Sequence, residues 1–156
     1  MLVSAFLTKL RLRIRDEYKV EYTDDELIGY LNDALAYWDS TRIVSADPLR
    51  LKSLTVNPNA TVPTDFAKWA GTYPVYIQNG NVYSASGDSV ACKYYAYSTS
   101  FASTSDNINL PNPEISILLQ LSTIYALNKN QFDVSTDTSL AKALQDVVAQ
   151  SKVRNG

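Results

Sequence analysis

Leu110-Pro111-Asn112-Pro113-Glu114-Ile115-Ser116-Ile117-Leu118-Leu119-Gln120-Leu121-Ser122-Thr123-Ile124-Tyr125-Ala126-Leu127 is the stretch whose surroundings decide how this chain folds. Asn112 reads as a helix N-cap and Pro113 as the first helical residue, where a fixed φ and a missing N–H are tolerated. Beyond them Ile115, Ile117, Leu118, Leu119, Leu121, Ile124, Tyr125 and Leu127 point in nearly every direction around the axis, so the helix needs cover on most sides. Either it is central in its own chain or part of its surface meets another chain. After a gap over residues 128–136, a last amphipathic helix starts near Asp137 or Thr138, carries Leu140, Ala143, Leu144, Val147 and Val148 on one stripe, and ends near Arg154.

Upstream, Thr23 and Glu26 form a capping box, and Asp24 and Asp25 add negative charge to the first turn of a helix running from Asp24 to about Ser40. Leu27, Ile28, Leu31, Ala34, Leu35 and Trp38 make its apolar stripe. The first helix places Val3, Phe6, Leu7, Leu10 and Ile14 within an arc of about 100°. A period-two alternation over Leu10–Arg15 offers a strand as the competing reading, but the spacing before Leu10 is helical.

From Pro48 to Phe101 the chain turns rich in Tyr, Ser, Asn and Gly, and short strands are predicted. Val75–Ile77 and Val82–Tyr83 read as a hairpin closed by Asn79-Gly80, and Ser89–Ser98 as a strand with Cys92 and Tyr94 on one face and Lys93 and Tyr95 on the other. Lys52–Val56 is a further strand candidate, and residues 62–69 read as a proline-started helical turn pinned by Phe66 and Trp69.

Composition excludes more than it assigns. With 156 residues, 46% of them hydrophobic, the chain can bury a core without staples. It has no histidine and one cysteine, which removes Ser-His-Asp, Cys-His and His-based metal chemistry, any intrachain disulfide and a thiolate zinc cluster. A formal net charge of -2 argues against a general nucleic-acid binder. No apolar run approaches the ~20 residues of a membrane span, and the N-terminus lacks the order of a signal peptide; a soluble, unexported protein of the cytoplasm is expected.

The charge feature with a functional shape is the row Lys9, Arg11, Arg13 and Arg15, which on a helix flanks the apolar stripe and could meet phosphates or an acidic partner; the bland alternative is a solvated face compensated by Asp16 and Glu17. Asp24, Asp25 and Glu26 are explained by capping, and Asp133 and Asp137 by turn and cap roles rather than by metal. The tyrosines Tyr73, Tyr76, Tyr83, Tyr94, Tyr95 and Tyr97 suit a core or protein interface better than a base-stacking surface, and Cys92 suits a buried apolar position.

The order of these elements resembles the head-to-tail adaptor (connector) proteins of tailed bacteriophages. Three stretches carry the likeness: residues 23–34 with Trp38, the Val62-Pro63-Thr64-Asp65-Phe66 turn, and Leu110-Pro111-Asn112-Pro113-Glu114 with the helical pair that follows. Val62 stands where the family usually has leucine.

The resemblance implies a mainly α protein with an inserted β-element, of α+β class: about four bundled helices plus a small antiparallel sheet or hairpin between the second and third long ones. It implies one adaptor-like domain over 1–156, with the helical core in 1–47 and 111–154 and the insertion over about 48–105. It implies a structural virion protein of the neck, made in the host cytoplasm, without catalytic residues, cofactor or metal. About a dozen copies would ring a DNA channel between the portal protein and the next tail or neck component, passing double-stranded DNA without reading it. Tyr37, Ile117, Leu121 and Ile124 are the expected ring contacts, Lys152 and Arg154 the expected portal contact. Lys9, Arg11, Arg13 and Arg15 are expected to face acidic partners or passing DNA.

The rivals are a helix-turn-helix regulator, disfavoured because residues 24–40 contain no Lys or Arg, another small binding module, and a carboxylate enzyme without a discernible cleft.

Overall fold

The computed structural model describes residues 1–129 and 141–150. Its elements run α1 (Val3–Ile14), α2 (Asp24–Val44), a 3-10 turn (Pro48–Arg50), β1 (Leu51–Val56), β2 (Asn59–Thr61), β3 (Phe66–Trp69), β4 (Val75–Gln78), β5 (Asn81–Ser84), β6 (Val90–Ala96) and α3 (Asn112–Leu127), and residues 141–150 are helical. The class is α+β. The chain divides into two compact units, Met1–Trp38 with Ser100–Gly156, and Asp39–Thr99. The expected start of the last helix and the Asp133–Asp137 loop lie outside the described residues.

The first unit is helical and closes one core. Phe6 and Leu10 of α1, Leu27 and Leu31 of α2, and Leu118 and Leu121 of α3 are fully buried together, with Leu144 and Val148 of the 141–150 helix joining them. The capping box forms as read: Thr23 N–H donates to Glu26 Oε2 at 2.8 Å and Glu26 N–H to Thr23 Oγ1 at 3.1 Å. Asn32 fixes the incoming chain, accepting from Phe101 N–H at 2.8 Å and donating to its carbonyl at 2.9 Å. The N-terminus is tied down by an antiparallel bridge, in which Val3 N–H donates to Asp106 O at 2.9 Å and Ile108 N–H to Met1 O at 2.7 Å.

The second unit holds two antiparallel three-stranded sheets, ordered β1-β6-β3 and β2-β5-β4. Val56, Val82 and Cys92 form their small common core. Burial pushes the Cys92 thiol above its ordinary pKa, as suits a small apolar filler. Asn79 and Gly80 both have positive φ, 49° and 76°, the conformation of a two-residue hairpin whose twist matches its strands.

Three local expectations change. α2 runs one turn beyond Ser40 because nothing breaks it before Ala46, at φ 55°, and Pro48; Arg42 reaches Asp47 at 2.6 Å across its end. α3 starts at Asn112, one residue early, with Pro111 in the cap position and no side-chain cap. Residues 62–69 are not a helical turn: a tight turn, Phe66 N–H to Pro63 O at 3.1 Å, leads into β3. Strict alternation would put Phe66 and Trp69 on opposite faces, but a register shift between Phe66 and Lys68 lets the two rings meet edge to face at 4.8 Å.

Candidate functional site: the outer face of the first helix

α1 is amphipathic in two senses. Its inner stripe, Val3, Phe6, Leu7, Leu10 and Ile14, is buried, while Ala5, Thr8, Lys9, Leu12 and Arg13 are exposed, Leu12 by 56%. The side chains of Lys9, Arg13 and Arg15 make no ion pair or hydrogen bond with any described residue, and α1 contains no acid. Lys9, Arg13 and Leu12, with Arg15 at the C-cap, are the large side chains that this end of the unit offers outward.

Arg11 does not belong to that face, which corrects its expected role toward acidic partners or DNA. It is 4% exposed. Its Nη1 donates to Asp16 Oδ2 at 2.5 Å and to the Tyr22 carbonyl at 3.0 Å, and its Nη2 to Asp24 Oδ1 at 2.7 Å. Asp16, also buried, accepts from Val20 N–H at 2.8 Å, Glu21 N–H at 3.0 Å and Tyr22 N–H at 3.3 Å. One carboxylate therefore closes the α1–α2 loop, where Arg15 and Lys19 take positive φ, and one guanidinium bolts that loop to both helices. Tyr22 continues the tie, its hydroxyl donating to Ala126 O of α3 at 2.8 Å. Tyr18 and Val20 at the loop tip are 91% and 82% exposed. A cleft of about 240 Å³ lined by Thr8, Arg11, Lys19, Asp24 and Thr104 lies beside the network, below the usual size of a ligand pocket and with its cations already matched by Asp24.

The two carboxylates of the network titrate in acid. Burial pushes the Asp16 carboxyl up, but the Glu21, Val20 and Tyr22 amides and the Arg11 charge outweigh it and hold the pKa below the ordinary 3.8. The hydrogen bond from Arg11 does the same for Asp24. Groups with a depressed folded pKa contribute stability that is present above the unfolded value and lost as pH falls through the folded one. With no histidine in the chain, stability should be flat from pH 7 to about 5 and decline below about 4. Urea unfolding across that range checks this, and Asp16→Asn should make the decline shallower. An equal slope in the two proteins would remove Asp16 from the account.

The expected ring contacts fare differently. Ile117 (6% exposed) and Leu121 (0%) lie in the chain's own helical core, so they are not available to a neighbour. Most of the apolar surface of α3 is buried in the core of its own unit, which Leu144 and Val148 of the 141–150 helix join, while Leu127 at its end is exposed. Tyr37 and Ile124 are half-buried and pack against the same core. Lys152 and Arg154 lie outside the described residues. The buried Arg11–Asp16–Asp24 network goes beyond the sequence reading; its one local signal is that Arg11, four residues after Leu7 and three before Ile14, borders the apolar stripe.

Among the described residues no group of acidic or cysteine side chains is arranged to hold a metal ion, and no helix is long and apolar enough to cross a membrane. No family model matches the chain, and no curated protein matches it.

Proposed function

We propose that this protein is a non-enzymatic virion subunit of the head-to-tail junction of a tailed bacteriophage. Copies of it ring the DNA channel between the portal protein and the next tail or neck component. The observation that carries the reading is the order of elements: a β-rich unit, Asp39–Thr99, is inserted between α2 and α3, and the flanking helices close one core. This α+β order supports the likeness to adaptors, in which a bundle of about four helices carries an inserted β-element. The acidic balance of the chain supports it too, because a channel that held phosphates tightly would stall the duplex. With Ile117, Leu118 and Leu121 of α3 buried in their own unit, ring contacts fall to outward faces of the helices and to the exposed aromatics of the β unit, such as Tyr76 and Tyr97.

Electron microscopy of the protein mixed with portal rings from the same phage tests the reading. The expected result is an added layer with the symmetry of the portal. Bare portal rings at saturating protein, together with salt-dependent binding of the free protein to duplex DNA, would favour the regulator.

A further inference from the structure

The two outward helix faces of the first unit carry opposite charge: α1 has no acid, and the basic residue of α2, Arg42, lies in its last turn beyond Trp38, where it pairs with Asp47. α1 shows Lys9, Leu12 and Arg13 outward and has no Asp or Glu. α2 shows Asp25, Gly29 and Asp33 outward at i, i+4 and i+8, and no Lys or Arg occurs between Asp24 and Thr41. Neither the Asp25 nor the Asp33 side chain makes a hydrogen bond or ion pair with a described residue, and a methyl group placed on Gly29 would meet nothing within 4 Å. Both helices bury their opposite stripes in one core, so these faces look away from it and cannot reach each other within one molecule.

We infer that the occupant of the α1 outer face is the α2 outer face of a second copy of this chain. Lys9 and Arg13 meet Asp33 and Asp25, and Leu12 lies over the bare backbone at Gly29. The dimensions suit it: Lys9 and Arg13 are ~6 Å apart along their axis and Asp25 and Asp33 ~12 Å, a difference that long basic side chains span. Such a contact is heterologous, since each copy gives one face and receives the other, and it propagates head to tail into a ring when the rotation closes. The inference rests on the reading of the chain as a self-assembling subunit and specifies which surfaces do it.

Sedimentation velocity at high protein concentration, with circular dichroism as a check on folding, tests it through charge reversal at exposed positions. Wild type should self-associate, less so as salt rises, because the attraction is screened beyond about 10 Å at 0.1 M. Lys9→Glu with Arg13→Glu makes both faces acidic, and Asp25→Lys with Asp33→Lys makes both basic. Each pair of substitutions alone should weaken association by about tenfold or more. An equimolar mixture of the two variants should restore it, because every contact in an alternating array is again complementary. Wild-type association that the reversals leave unchanged would overturn the pairing and leave self-assembly standing. A wild type and a variant mixture that both stay monomeric would also overturn it, while the portal experiment continues to decide the function separately.

Discussion

Arg11→Ala should lower the unfolding free energy by about 3–5 kcal/mol, the usual consequence of removing one partner from a buried ion pair. The size follows from what is stranded. Asp16 is almost fully enclosed and keeps its three amide donors but loses its counter-charge, the Tyr22 carbonyl loses a donor, and Asp24 keeps only the exposed Lys19 at 3.3 Å. Arg13→Ala, two residues along on the outer face, should stay within about 0.5 kcal/mol, since the exposed guanidinium there makes no hydrogen bond or ion pair with a described residue. Urea denaturation at pH 7 measures both. A loss below about 1 kcal/mol for Arg11→Ala would mean that the loop is held by Asp16 and the amides alone. Arg11→Met separates two contributions: a methionine filling the same space restores packing but not charge, so recovery of most of the loss would assign the stability to packing.

How much of this was legible in the sequence depended on whether the deciding interaction was local. The Thr23/Glu26 box is complete within four residues and formed as read, and Asn79-Gly80 has one easy conformation between two strands. Phe66 and Trp69 were misread because spacing of three suits a helix, and a bulge that changes the parity of a strand leaves no mark in the residue types. Charge groups Arg11 with its basic neighbours, whereas its place at the border of the apolar stripe, next to Leu7, is the better guide. The sequence offers Asp16 as a compensating charge on a solvated face; what it does not show is that the pair is buried, because Asp16 lies past the helix end, where helical periodicity says nothing. For α3, two readings were open because a helix apolar on every side is equally suited to the middle of one chain or to the seam between two. The choice depends on residues far away in sequence, among them Leu10, Leu31 and Leu144.

Leu121→Ala is the substitution that distinguishes those two readings by measurement. Leu121 is fully buried in the core of the helical unit, and truncation there should cost about 2–5 kcal/mol in the isolated chain, from lost burial and the cavity left behind. Were Leu121 a contact between copies, the same change would leave the dilute monomer within about 0.5 kcal/mol of wild type and weaken assembly instead. Thermal unfolding at two protein concentrations tells these apart: a core defect lowers the midpoint equally at both, whereas an interface defect removes a concentration dependence that the wild type possesses. Leu127→Ala supplies the control, since that side chain is 54% exposed at the end of the same helix. A large loss at Leu121 and none at Leu127 also constrains assembly. Substitutions at α3 core positions would then abolish rings by unfolding the subunit, so only exposed positions such as Lys9, Arg13, Asp25 and Asp33 can report on how copies meet.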